Sequence, residues 1–184
     1  MSRKTRPVPP GTRTPDEIQE MIRVDHAGEY GAVRIYEGQL AVLGARGSSA
    51  AKAIEHMAQQ EQRHLETFDA LVNARRVRPT ALEPVWRVAG FALGAATAML
   101  GEKAAMACTA AVEEVIDQHY ARQVEKLGDS DPQLKATVEE FRAEEIAHRD
   151  AALAMGAEEA PGYRFLSEAI KAGCRIAIRL SEKI

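Results

Sequence analysis

The hexapeptide EQRHLE, residues 61–66, sets Glu61 and His64 three positions apart. On an α-helix that spacing stacks the carboxylate and the imidazole on one face, a turn apart, where both can reach one metal ion. A chain this rich in Glu can place one before a His by accident. A second Glu-x-x-His stands at Glu145 and His148, displaced by 84 residues from the first. Sliding the chain on itself by that offset sets GEYGAVRIYEGQLAVLG (28–44) over VEEVIDQHYARQVEKLG (112–128). Glu29 then falls on Glu113, Tyr36 on Tyr120, Gln39 on Gln123, and Leu43-Gly44 on Leu127-Gly128; further on, Glu55 meets Glu139. Chance does not give one offset to both Glu-x-x-His pairs and their flanking residues, so the chain is read as an internal duplication.

Each half is a helix carrying one Glu, a short turn, and a helix carrying Glu-x-x-His. Two such antiparallel pairs packed together form a four-helix bundle, and they bring Glu29, Glu61, His64, Glu113, Glu145 and His148 to one place. Four carboxylates and two imidazoles from four helices are the ligand set of ferritin-like di-iron and di-manganese proteins. Carboxylate and imidazole donors suit iron or manganese, and four Glu charges balance two divalent ions. No Cys-x-x-Cys pair exists, which excludes a zinc ribbon or a rubredoxin-like site. Cys108 and Cys174 are expected as free, buried thiols.

Neighbouring residues are sorted by the repeat. Glu113 is preferred to Glu114, whose counterpart is Tyr30, and Glu145 to Glu144, whose counterpart is Gln60. Tyr36 and Tyr120, seven residues beyond Glu29 and Glu113, share their helical face. They are expected as donors to the site, as pocket lining, or as core with a satisfied hydroxyl. Asp25 and Asp117 lie four residues from a ligand Glu and are candidates for holding the far N–H of a metal-bound His. His26 and His119 break the repeat, and His56 and Glu66 are read as surface residues.

Punctuation gives the helices. Thr14-Pro15-Asp16-Glu17 predicts an N-cap and start for a helix over about 15–44. A second is predicted over 48–76, and Thr80 with Glu83 as a capping box opening a third that ends at Gly101. A fourth is predicted over 102–127, a fifth over 132–155 after the Gly128–Pro132 turn, and a sixth over 163–183. No segment alternates like a strand. The expectation is all-α: a ferritin-like bundle with two further helices, one apolar near 82–100 and one C-terminal. Residues 1–13 are read as a disordered, basic, Pro-rich arm, and 14–184 as a single domain. No secretory signal or long transit peptide is expected from the basic, Pro-rich start of the sequence. A net charge of −3, without a basic cluster, gives no reason to expect a nucleic-acid partner. Val88–Leu100 runs 13 residues without a charge, too short to span a bilayer. It is either a buried core helix or one that touches a membrane or lines a lipid site, with Arg87 and Lys103 at its flanks.

The segments RVDHAGEYGAVRIYEGQ (23–39), EQRH (61–64), GEKAAMACTAAVEEVIDQHY (101–120), EEIAHRD (144–150) and AGCRIAIRLSEK (172–183) resemble the demethoxyubiquinone hydroxylase family of ubiquinone biosynthesis. The resemblance runs from about residue 18 to the C-terminus. It implies two iron ions per chain, with Glu61 and Glu145 bridging, Glu29 and His64 on one ion, and Glu113 and His148 on the other. It further implies a monooxygenase that uses O2 to hydroxylate the ring of a polyprenylated demethoxy-benzoquinol. Such an enzyme is expected as a peripheral membrane protein, with the apolar 88–100 helix at the surface and, in eukaryotes, a lipid-binding accessory protein. Its expected place is the cytoplasmic face of a bacterial membrane, or the matrix side of the mitochondrial inner membrane if the chain is eukaryotic. The alternatives are a ferritin-like iron-storage or peroxide-handling protein, a di-iron hydroxylase with another substrate such as tRNA, and a helical scaffold without activity.

Overall fold

A computed structural model describes residues 14–184; the arm expected over 1–13 lies outside the described residues. Six helices follow in order: α1 (Asp16–Leu43), α2 (Ser49–Arg75), α3 (Glu83–Met99), α4 (Glu102–Leu127), α5 (Pro132–Ala154) and α6 (Tyr163–Lys183), with no strand among the described residues. Helices α1, α2, α4 and α5 form the bundle. Its two hairpins are α1–α2 and α4–α5, as the duplication requires, with α3 laid on α1 and α6 packed against α4 and α1.

Local chemistry explains two of the helix starts. Gly47 adopts a left-handed φ of 61° in the first turn, and the Ser48 hydroxyl then accepts from the Ala51 N–H at 3.2 Å to cap α2. Asp131 caps α5 by accepting from the Leu134 N–H at 3.0 Å, with Pro132 following it. Two expected caps do not form. The Thr14 side chain makes no cap; its carbonyl accepts from the Gln19 side chain at 2.6 Å, and α1 starts at Asp16 with two acids in its first turn. The Thr80 hydroxyl accepts from the Leu82 N–H at 3.2 Å, a turn within the loop, so Glu83 opens α3 instead of standing third in it.

Two apolar layers close the ends of the bundle. At one end Tyr36, Leu43, Ile54 and Met57 fill the space left by the alanines of Ala104–Ala107 and Ala152. At the other, Ile22, Phe68, Tyr120, Leu134 and Phe141 pack together. The site lies between these layers.

The apolar segment near 82–100 is neither buried core nor wholly free. Helix α3 buries only Gly90, Gly94, Thr97 and Ala98, and it leaves Val85, Val88 (65% exposed), Phe91 and Met99 outside. Glycine makes this one-sided seat possible. A Cβ at Gly90 would stand 2.9 Å from the Gly31 carbonyl oxygen, and one at Gly94 would run into the Ile35 carbonyl. Among the described residues no helix is long and apolar enough to cross a membrane.

Candidate metal centre

The six residues singled out by the repeat meet at mid-bundle. One oxygen or nitrogen from each of Glu29, Glu61, His64 and Glu145 lies within 4.8 Å of the others, and the same holds for Glu61, Glu113, Glu145 and His148. Glu61 and Glu145 belong to both groups. None of the six is more than 3% exposed. The histidines turn their Nδ1 atoms inward: His64 Nδ1 is 3.0 Å from Glu145, and His148 Nδ1 is 3.1 Å from Glu61 and 3.2 Å from Glu145. His64 is held in that pose by stacking on Phe141, ring centroids 3.9 Å apart.

Charge at this density is costly without water. Burial, reinforced by the Glu145 charge, pushes the Glu61 and Glu113 carboxyls well above the ordinary carboxylate range, and burial raises Glu145 as well. Burial lowers the affinity of His64 for a proton, but the carboxylates of Glu145 (3.0 Å) and Glu29 (3.5 Å) beside its Nδ1 overcome it and raise its pKa to about 11. Glu61 Oε1 and His64 Nδ1, both fully buried, have no well-aligned hydrogen bond. Acceptors and lone pairs aimed at one centre, with orphans among them, fit a pair of divalent cations whose charge would offset four carboxylates.

The tyrosines serve the site across the bundle. Tyr36 donates to Glu113 at 2.8 Å, and Tyr120 donates to Glu29, so each half's hydroxyl holds the other half's first Glu. The glutamines are crossed in the same way. Gln39 reaches the Ala105 carbonyl (3.1 Å) and the Thr109 hydroxyl (3.3 Å), while Gln123 reaches Asp25 (2.7 Å), whose repeat counterpart is Thr109.

The two aspartates proposed to hold the metal-facing histidines do not. Asp25 takes hydrogen bonds from His119 (3.1 Å) and Gln123, and Asp117 pairs with Arg142 at 2.7 Å and Arg149 at 3.4 Å. The partners are residues the repeat had set aside or passed over. His64 Nε2 lies 2.8 Å from Glu144, and His148 Nε2 lies 3.1 Å from Gln60 Oε1. Their signal was present: Gln60 and Glu144 are themselves 84 residues apart. Partial burial raises Glu144, but the His64 hydrogen bond and Arg63 outweigh it and keep its carboxyl below the usual range. Glu114, also set aside, pairs with Lys171 at 2.7 Å and ties α4 to α6. His26 is buried against Asp69 at 2.8 Å, and His56 and Glu66 are exposed. Cys108 and Cys174 are free thiols, but only Cys108 is buried as expected and Cys174 is half-buried; burial pushes each up to about 12.

An apolar cavity of about 540 Å³ lies between α1, α3, α4 and α6. A second cavity of about 20 Å³, room for about one water, touches Glu29, Glu61, Glu113 and Glu145. Val24, Gly28, Ala32, Ile116 and Ile178 line both, so the large cavity abuts the carboxylates through these five residues.

The family model described as Ubiquinone biosynthesis protein COQ7 matches residues 16–181. The chain belongs to this family. A 3-demethoxyubiquinol 3-hydroxylase of Rhodospirillum rubrum is 57% identical over 176 residues, 95% of this chain and 82% of the relative. A human NADPH-dependent 3-demethoxyubiquinone 3-hydroxylase, mitochondrial, is 52% identical over 171 residues, covering 91% of this chain and 78% of the human one. A yeast 5-demethoxyubiquinone hydroxylase, mitochondrial, from Saccharomyces cerevisiae is 40% identical over 182 residues, with 91% and 78% covered. The COQ7 family is ferritin-like and di-iron, and the bundle of this member is built accordingly.

Proposed function

We propose that the chain is a monooxygenase that hydroxylates the ring of a polyprenylated demethoxy-benzoquinol in ubiquinone biosynthesis. One observation carries the reading furthest: the apolar cavity is seated directly against the buried carboxylate–histidine cluster. Its volume falls in the range of small-molecule sites, and its walls suit an isoprenoid chain, each buried CH2 contributing about 0.8 kcal/mol. The names of the relatives supply the substrate.

Glu29, Glu61, His64, Glu113, Glu145 and His148 would hold two iron ions, Glu61 and Glu145 serving both. When bound, the pair would supply O2 activation, by which one oxygen replaces a ring hydrogen as hydroxyl while an external two-electron reductant and two protons carry the other oxygen to water. The chain's own residues do the rest. Val24, Gly28, Ala32, Ile116 and Ile178 bring the ring to the carboxylates and keep bulk water out. Tyr36 and Tyr120 fix the orientation of Glu113 and Glu29. Both phenols are pushed well above 10, first by burial and then by the glutamates, so they stay hydrogen-bond donors at any working pH.

The exposed apolar residues of α3 and α6, Phe165 at 83% among them, would rest on the bilayer from which the substrate comes. On this reading the protein is peripheral, and any lipid-binding accessory protein would meet the same face.

Complementation of a strain blocked at this hydroxylation tests the function. The wild-type chain should restore ubiquinone, and Glu145→Ala should abolish rescue with the demethoxy quinone accumulating. Gly28→Leu should also fail to rescue while keeping its metal, because it fills the passage and touches no ion. Normal ubiquinone from Glu145→Ala would refute the assignment, and normal turnover by Gly28→Leu would refute the route.

A further inference from the structure

The two halves of the cluster match where they face its centre. Each gives a Glu, a Glu-x-x-His, and a tyrosine hydroxyl for the other half's first Glu. They differ behind the histidines. The far nitrogen of His64 meets a carboxylate, Glu144, and the far nitrogen of His148 meets a neutral amide, Gln60. Both partners occupy the same place in the repeat, one residue before Glu61 and Glu145, and each serves the other half's ring.

The chemical difference has a direction. An imidazole whose far N–H donates to an anion becomes the more basic ligand at its near nitrogen, and an amide oxygen does this less. Arg63 tempers the effect, because its guanidinium lies 2.5 Å from both Glu144 oxygens. The counterpart of Arg63 in the repeat is Ala147, so the second half has no equivalent guanidinium there.

We propose that Glu144 and Gln60 are positioning residues that make the two metal positions unequal, so that the ion between Glu29 and His64 binds first and more tightly than the ion between Glu113 and His148. The ion beside His64 is also the more electron-rich, so the ion beside His148 is the easier to reduce. This inference rests on the reading of the cluster as a two-metal site. It gives a symmetric ligand set a fixed order of loading and of electron uptake.

The test is a titration of metal-free protein with Co2+ alone. It is followed by visible absorption and by the hyperfine-shifted, exchangeable imidazole N–H resonances in proton NMR. Wild type should fill in two steps separated by about 10- to 100-fold in affinity, the size of effect that such partners have on metal sites. The N–H resonance of the first step should be the one that moves in Glu144→Gln. That variant should close the gap, and the exchange Gln60→Glu with Glu144→Gln should reopen it with the order of resonances reversed. Arg63→Met, a change at the surface, should widen the gap by leaving more of the Glu144 charge on His64. A single-step uptake of two ions by wild type overturns the inference. So does a Glu144→Gln protein with an unchanged gap and unmoved N–H signals. Uptake of fewer than two Co2+ per wild-type chain overturns the two-metal reading itself, and this inference with it.

Discussion

Glu61, Glu113 and Glu145 are carboxyls that water barely reaches, and burial raises all three. Between the unfolded carboxyl value of about 4.3 and their folded values, the folded chain therefore binds more protons than the unfolded chain. Stability then falls as pH rises through that window. His64, raised from 6.5 to about 11, acts in the same direction from neutral pH upward. Asp131 opposes burial through Arg75 and the Leu134 N–H and is lowered; its contribution is lost only on the acid side, as pH falls through its folded value. Protein stripped by a chelator should thus melt at a lower temperature as pH is raised from about 5.5 to about 8.5. Two divalent ions displace those protons and should flatten or reverse the trend. A metal-free melting temperature that rises across the range would contradict the account. At this scale the six central residues were legible because a duplication places each one twice. Their outer partners were not. Spacing along one helix names which side chains share a face, whereas the far nitrogen of His64 is met by a residue of α5, a neighbour that only packing selects.

Helix α3 shows what an element adds to its residues. Its composition gives no amphipathic stripe of the usual kind, because the face it buries is made of Gly90, Gly94, Thr97 and Ala98 and the face it exposes is the greasier one. A search for an apolar run finds the helix but does not say which face it buries. The backbone of α1 approaches so closely that its carbonyls occupy the space of the missing side chains. Gly94→Val should therefore force α3 away from Ile35 and destabilise the fold by about 1–3 kcal/mol, the usual cost of overfilling a packed contact. Because α3 also walls the cavity through Trp86, Gly90 and Leu93, substrate turnover should fall as well. Thermal unfolding of Gly94→Val beside Gly173→Val separates the two explanations. A Cβ at Gly173 meets nothing within 4 Å, so only a general helix-propensity effect would make the two melt alike.

On the scale of the whole molecule, the bundle and its two extra helices divide the labour. The duplicated hairpins build the polar centre and, being periodic and repeated, were readable in the sequence. The arrangement of α3 and α6 was not, because it depends on long-range ties: the Trp86 indole donates to the Ser181 hydroxyl at 3.1 Å, and the Ala81 N–H donates to the Ile184 carbonyl at 3.3 Å. These ties set two helices with exposed apolar residues around one cavity, Val88 and Phe91 on α3, Ile176 and Leu180 on α6. A lipid surface against those residues would let a polyprenyl chain enter the cavity with little exposure to water. Val88→Glu with Phe91→Glu places two charges on exposed side chains of α3 and leaves the packed glycines Gly90 and Gly94 in place. The double variant should keep its metal content and its turnover of a short-tailed benzoquinol. It should lose sedimentation with phospholipid vesicles and most of its turnover of a long-tailed substrate presented in them, since each charge carried into a membrane costs about 2.5 kcal/mol or more. Unchanged vesicle binding would place the membrane contact elsewhere. Equal loss on short and long tails would show that the charges had damaged the cavity instead of its approach.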